Sequence, residues 1–297
     1  MNALWRVWDE TPYLKIGQTN YTLKGFSIAA LRSNFYIKEL GIMLDAGLSG
    51  NMAATDILIT HGHSDHIASL PFHLYTVKPG EKINIYVPKN IINHVYTFIE
   101  SLSSLSCQCD FTTMANDTRT QDTISSTFYN LIPVTAGSFF TLDPKHKNLK
   151  IEIIDCDHSV DCVGYGLIET RLKLKEEFKS LTGIQIKKLR ESGVDIHNRI
   201  EIPFFCYLGD TSEKILSNNT IEKYHTIMIE CTFIMSDEIQ NAIDTKHMHW
   251  LSLREYVVSH PNITFILYHF SLRYKKTEIE EFFTKENLLN VIPWISN

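Results

Sequence analysis

The stretch Thr60-His61-Gly62-His63-Ser64-Asp65-His66 constrains this chain more than any other. It sets three histidines and an aspartate within six residues, directly after the apolar run Ile57-Leu58-Ile59. That run is short, β-branched and opened by Asp56, which predicts a buried strand. The ligand-type side chains then fall where a strand gives way to a loop, a position from which a rigid sheet can hold a site. His61 and His63 are two apart, so in extended backbone they point the same way and can share one cation. Asp65 and His66 follow at once and point elsewhere, which suits a second cation beside the first. Imidazoles mixed with a carboxylate favour zinc or a similar borderline divalent ion over calcium or magnesium.

The same arrangement recurs downstream. Leu149 to Asp155 alternates like a strand and delivers His158; Ile202 to Leu208 delivers Asp210. Thr226 to Ile229 leads to Glu230-Cys231-Thr232-Phe233, and 262–268 to His269. Shared out, one metal takes His61, His63 and His158, and the other takes Asp65, His66 and His269. Asp210 stands between them, because a carboxylate can bridge two cations. Asp45, in Asp45-Ala46-Gly47 at the end of the strand Gly41–Leu44, reads as a turn residue or a support for the ligands before it reads as a ligand. His94 lies on the apolar-periodic helix predicted over 90–105 and reads as an ordinary surface histidine. Cys107-Gln108-Cys109 has nothing nearby to complete a metal set.

Further strands are predicted at Tyr21–Leu23, Gly25–Ile28, Phe35–Ile37 and Ile83–Val87, and helices at Ala68–Val77 and Lys275–Leu289. The polar stretch 106–130 receives no element. Strands recur on both sides of the midpoint without a repeat or a linker, so one domain over 1–297 is expected. At 44% hydrophobic and 21% charged residues the chain can bury a substantial core. No apolar run is long enough to cross a bilayer, the first residues lack the layout of a signal peptide, and the six cysteines form no dense framework. A cytoplasmic setting is the expectation, with organellar or viral ones equally compatible. A net charge of −6 argues against a protein coated for nucleic acid, yet 171–199 carries eight basic residues against four acidic ones. That segment reads either as a solvated helix or as an arm contacting phosphates.

The His-x-His-x-Asp-His order resembles the metallo-β-lactamase superfamily. Taken with His158 ahead of Gly164-Tyr165-Gly166, Gly209-Asp210-Thr211, Glu230-Cys231-Thr232-Phe233, Lys246-His247-Met248-His249 and His269-Phe270-Ser271-Leu272-Arg273-Tyr274, nearly the whole chain resembles the tRNase Z family in its short form. Leu172–Glu177 through Gly183 to Glu191–Val194 is similar to the plant short enzymes. The resemblance implies an α/β fold, the αββα sandwich of two mixed β-sheets flanked by helices. It implies two Zn2+ per subunit, with Mn2+ as a substitute, acting on precursor tRNA or other RNA in a homodimer. The activity implied is removal of the 3′ trailer, leaving a 3′-hydroxyl on the tRNA. Asp65, Glu230 and His247 fall on the family's catalytic positions, with His249 the rival of His247 as proton donor. A less selective hydrolase, acting on RNA in general or on β-lactams or esters, is the alternative. The chain departs from the family in two respects. The long Gly-Pro-rich tRNA-binding arm is replaced by the short basic insert 171–199, and Lys246 stands where glycine is common. Arg273 reads equally as a phosphate contact or as half of an ion pair.

Overall fold

A computed structural model describes residues 8, 10–50, 52–75, 77–107, 118–119, 123–142 and 146–296. The apolar residues explain its layering. In Ile42-Met43-Leu44, Ile57-Leu58-Ile59, Ile227-Met228-Ile229 and Phe265-Ile266-Leu267, every side chain is buried, and alternate ones enter different clusters. Leu44, Leu58, Met228 and Ile266 meet in one core, formed between two sheets. Met43, Ile57 and Ile59 face outward onto one set of helices, and Ile227, Ile229, Phe265 and Leu267 onto another. Strands apolar on both faces must be covered on both faces, and that requirement produces four layers, α/β/β/α.

The first sheet holds β1 (Tyr13–Lys15), β2 (Thr22–Ile28), β3 (Arg32–Ile37), β4 (Ile42–Leu44), β5 (Asp56–Leu58), β6 (Ile83–Pro88), β7 (Thr118–Arg119), β8 (Ile124–Ser125) and β9 (Tyr129–Val134). Their order is β1-β2-β3-β4-β5-β6-β9-β8-β7. The second sheet runs in chain order through β10 (Phe139–Thr141), β11 (Leu149–Cys156), β12 (Cys162–Leu174), β13 (His197–Tyr207), β14 (Thr226–Glu230), β15 (Thr264–Tyr268) and β16 (Val291–Pro293). Both are mixed: β4, β5, β6 and β9 run parallel in the first, and β13 to β16 in the second. The described helices are α1 (Ser64–Ile67), α2 (Leu70–Leu74), α3 (Ile92–Cys107), α4 (Gly183–Glu191), α5 (Ile239–Thr245), α6 (Trp250–Ser259) and α7 (Lys276–Glu286).

Two expectations need correction. The helix predicted over Ala68–Val77 is instead a pair of short helices that starts earlier, at Ser64, and places Asp65 and His66 in the first turn of α1. Pro71 accounts for the division. It sits at the start of α2, where its missing N–H costs nothing, but its ring cannot continue a helix arriving from α1. The second correction concerns 171–199, which is not helical throughout. β12 and β13 stay paired from Tyr165↔Tyr207 out to Leu174↔His197, so the segment is the far end of a long β-ribbon. The ribbon is buried up to Ile168 and exposed at Arg171, Leu172 and Lys173, so it leaves the core there. At its tip, α4 buries no residue and is started by a capping box between Thr182 and Gln185. Of Cys107-Gln108-Cys109, Gln108 and Cys109 lie outside the described residues, and of the polar stretch 106–130 so do 108–117 and 120–122. The described part of that stretch, expected to hold no element, forms β7, β8 and the start of β9.

Candidate active site

The predicted ligands converge at one edge between the sheets, at the C-terminal ends of strands, where an open parallel sheet places its site. His61 and His63 follow β5, His158 follows β11, Asp210 follows β13, Glu230 closes β14 and His269 follows β15. Their ligand atoms gather in three groups, each within 4.8 Å: His61, His63, His158 and Asp210; Asp65, His66 and His269; and Asp210, His247 and His269. Asp210 Oδ2 is central, lying 3.7 Å from His61 Nε2, 3.4 Å from His66 Nε2, 3.9 Å from His158 Nε2 and 3.4 Å from His269 Nε2.

The tautomers follow from what each ring's other nitrogen touches. His66 Nδ1 donates to Asp45 Oδ2 at 2.8 Å, and His158 Nδ1 to the Lys246 carbonyl at 3.1 Å. His61 Nδ1 lies 3.0 Å from Thr60 Oγ1, whose hydroxyl is directed to Asp45. His269 Nδ1 lies 3.0 Å from Thr232 Oγ1, whose hydroxyl is directed to Glu230 Oε2. In all four rings Nδ1 makes the outer hydrogen bond and Nε2 is the nitrogen that faces the cluster, in the arrangement of histidine ligands held by outer partners. His63 differs: its Nδ1 approaches His158 Nε2 at 3.2 Å, and His66 Nε2 approaches His269 Nε2 at the same 3.2 Å. Ring nitrogens crowded at such distances, around the buried carboxylates of Asp45, Asp65 and Asp210, call for positive charge between them. His61 Nε2 and Asp210 Oδ1 are buried with no hydrogen-bond partner. The donor set thus fits divalent cations.

Charge within the cluster is strongly polarised. Burial, and then the neighbouring His66, hold the imidazole of His61 well below its ordinary value, so it is neutral. Burial likewise lowers His63 and His158. Burial opposes charge on His66, yet Asp210 and Asp45 raise it well above the usual range. For Asp65, burial works against ionisation, but the hydrogen bond from His269 and the charge on His66 lower its carboxyl below the carboxylate range.

Asp45 serves as the anchor of this edge. Completely buried and in a left-handed conformation (φ 56°), it accepts from the Thr60 amide at 2.7 Å, from His66, and from the Tyr207 hydroxyl at 2.6 Å. It holds a ligand and is not itself in any ligand group. Asp65 is fixed by the Ala30 amide, which donates to its Oδ2 at 2.9 Å. Gly47 lets the turn after Asp45 pass over α1, since a Cβ there would stand 1.8 Å from the Asp65 carbonyl oxygen. Gly47→Ala is therefore expected to push back the backbone carrying Asp65 and His66. A melting curve should show a loss of about 1–3 kcal/mol, together with weaker uptake of a divalent cation; unchanged uptake would refute the close-approach argument.

Beside the cluster, His247 Nδ1 donates to Glu230 Oε1 at 2.7 Å. Glu230 is wholly buried and also accepts from the amides of Thr211 and Thr232. Burial alone would lower the imidazole of His247, but the Glu230 carboxylate outweighs it and raises the value to about 9. With Nδ1 so engaged, Nε2 is the free edge of a ring whose side chain is 17% exposed. His249 is placed differently: Nδ1 accepts from the Leu251 amide at the start of α6 and Nε2 donates to the Met235 carbonyl, so both nitrogens are committed to local structure. Arg273, half exposed at the mouth, pairs with Glu238 at 2.8 Å and lies over the Phe233 ring. His94 is exposed on α3, where it lines an apolar cleft of about 530 Å³ adjoining His63. Sequence reasoning missed Thr60, Thr232 and Tyr207. Two of these flank or follow a singled-out residue in the chain, but their hydroxyls matter only through partners brought by other strands.

No protein-family profile matches the chain. Among curated proteins it is similar to a tRNase Z of Arabidopsis thaliana, 29% identical over 272 residues, covering 88% of this chain and 89% of that one. A chloroplastic tRNase Z of the same plant is 26% identical over 273 residues, covering 88% and 71%. Nuclear ribonuclease Z of Triticum aestivum is 28% identical over 187 residues, covering 61% and 93%. Among solved structures, a metallo-β-lactamase fold protein of Bacillus subtilis superposes with a TM-score of 0.58 at 13% identity, covering 94% of this chain and 98% of that one. Human tRNase Z, short form, gives 0.51 at 16% identity, covering 84% and 92%. The fold is that of the metallo-β-lactamases.

Proposed function

We propose that this chain, whose plant relatives are tRNase Z proteins, is a metal-dependent endoribonuclease that removes the 3′ trailer of precursor tRNA. The observation that carries the reading is the Glu230–His247 pair, joined at 2.7 Å and set against the cluster through Asp210 and His269. Opening a lactam ring does not demand such a pair; cutting a phosphodiester with a poor leaving group does.

His61, His63 and His158 would hold one Zn2+ and Asp65, His66 and His269 a second, with Asp210 between them; Mn2+ suits the same donors. Bound divalent ions would supply Lewis-acid polarisation of the phosphodiester and activation of water at neutral pH. The chain's own groups do the rest. Asp65, held by Ala30 and His269, orients the attacking water and takes its proton as the new P–O bond forms. His247 delivers the proton on Nε2 to the departing 3′-oxygen of the upstream ribose as the old P–O bond breaks. Glu230 keeps that ring oriented and charged beforehand. The products are a tRNA ending in a 3′-hydroxyl and a trailer beginning with a 5′-phosphate.

The ribbon and α4 serve as the RNA-contacting arm. Lys175, Lys179 and Lys187 are matched by Asp195, Glu176 and Glu191. Lys173, Lys188, Arg190 and Arg199 have no ion-pair partner among the described residues and remain for phosphates. Changing these four to alanine is expected to weaken precursor-tRNA binding by about tenfold or more at moderate salt and to flatten its salt dependence. Hydrolysis of bis(p-nitrophenyl) phosphate should stay at wild-type rate; a salt slope that does not move would remove the arm from the RNA interface. We read the protein further as a homodimer in a cytoplasmic setting. The family resemblance supports the first and the scattered cysteines the second, and no described helix is long and apolar enough to cross a membrane.

The deciding experiment is cleavage of a 3′-extended precursor tRNA beside an unstructured RNA of equal length, with zinc or manganese. One cut after the acceptor stem supports the reading. Equal degradation of both RNAs would favour the less selective hydrolase, and no cleavage of either would reject both.

A further inference from the structure

We infer that Lys246 is a positioning residue that fastens the loops carrying His158, Asp210 and His247 into one frame, holding a strained backbone conformation to do so. The inference rests on the metal-site reading above. α5 ends in a Schellman turn: the His247 amide donates to the Ala242 carbonyl at 2.9 Å and the Lys246 amide to Ile243 at 3.3 Å. The residue at the turn has φ 53° and ψ 49°, the left-handed region that favours glycine. At the end of α7 the equivalent position holds Asn287, a residue that tolerates it. A lysine gains nothing from that conformation locally. Of the five non-glycine residues with positive φ among those described, Ala30, Asp45, Lys246 and His269 all bond to or form part of the site, and strain retained at a site signals constraint from outside the turn.

The constraint is visible in what Lys246 touches. Its carbonyl accepts from His158 Nδ1 at 3.1 Å, which fixes the tautomer of that ring. Its Nζ donates to Asp157 Oδ1 at 3.1 Å and to the His158 carbonyl at 3.2 Å. Asp157 in turn accepts from Ser212 Oγ at 2.6 Å, and its amide donates to Thr211 Oγ1 at 3.1 Å. One residue therefore ties the loop after β11 to the end of α5, and through Asp157 to the loop that presents Asp210. A glycine would supply the same carbonyl without strain, but no ammonium. The side chain is what the strain is retained for, and the next residue in the chain is His247.

The test compares Lys246→Gly, Lys246→Met and Lys246→Arg in the full zinc-loaded protein. Lys246→Gly should melt, after chelator treatment, at or above the wild-type temperature, yet release zinc about tenfold to a hundredfold faster to a competing chelator. Its kcat should fall about as much on precursor tRNA and on bis(p-nitrophenyl) phosphate, with KM unmoved. Lys246→Met keeps the strain without the ammonium, so both melting temperature and zinc retention should drop; Lys246→Arg should restore retention and kcat. Wild-type zinc retention in Lys246→Gly, or no rescue by arginine, would overturn the inference alone. Wild-type protein that takes up no zinc would overturn the metal reading and this inference with it.

Discussion

Asp210→Ala should abolish cleavage of precursor tRNA, lowering kcat by at least about a thousandfold, or about 4 kcal/mol of barrier. The expectation follows from geometry. One oxygen of this carboxylate sits within 4 Å of four histidine Nε2 atoms, those of His61 and His158 on one side and of His66 and His269 on the other. Removing it deprives the whole cluster of its central charge, whereas a single histidine change removes one donor from its edge. Zinc should raise the melting temperature of the wild-type protein, as any ligand specific to the folded state does. In Asp210→Ala that rise should vanish. A variant that still melts higher with zinc and still cuts would exclude Asp210 as the common ligand.

Glu230→Gln should produce the second large effect, about a hundredfold loss in kcat, with a displaced pH profile. With the imidazole of His247 raised to about 9, the proton-donating form prevails below that value and activity falls as pH rises through it. Cations on the neighbouring ligands repel the imidazolium, so zinc loading shifts this alkaline limb to lower pH. Removing the Glu230 carboxylate removes the force that raises His247, so the limb in Glu230→Gln moves lower still. His247→Ala should lose the limb and about as much rate. An alkaline limb unchanged in Glu230→Gln would assign it to another group. The stability linkage has the same sign. The folded value lies above the unfolded one, so the contribution of His247 is complete below about 6.5 and is lost as pH rises through about 9.

The cluster of candidate ligands was legible because each follows an apolar, β-branched run, and side chains leaving adjacent strand ends have few places to go. His61, His63, Asp65 and His66 lie in one motif, and His158, Asp210 and His269 each complete a strand identifiable from its own residues. The sandwich was legible for a related reason: strands apolar at every position cannot leave either face uncovered. What the sequence alone left open was what depends on partners far along the chain. His247 and His249 are two residues apart with the same neighbours, and only the start of α6 takes one of them out of the site. Asp45 reads as a turn residue or a support for the ligands, and what it supports shows only when His66 and, from the other sheet, Tyr207 are placed on it. The segment 171–199 reads as a solvated helix or a phosphate-contacting arm, and its strands go unseen, because they are the continuations of β12 and β13 and polar exposed strands carry no periodic apolar signal. Local residue order determined which side chains the strands would deliver. The packing within each half decided which nitrogen most of the histidines present and which histidine meets Glu230, because partners such as Asp45 for His66, Thr232 for His269 and the Lys246 carbonyl for His158 come from other loops of the same half. Closing the two sheets then brought the two sets of side chains together and set Tyr207 on Asp45 and Asp210 beside His61 and His66, because contacts between the halves exist only once the sheets face each other.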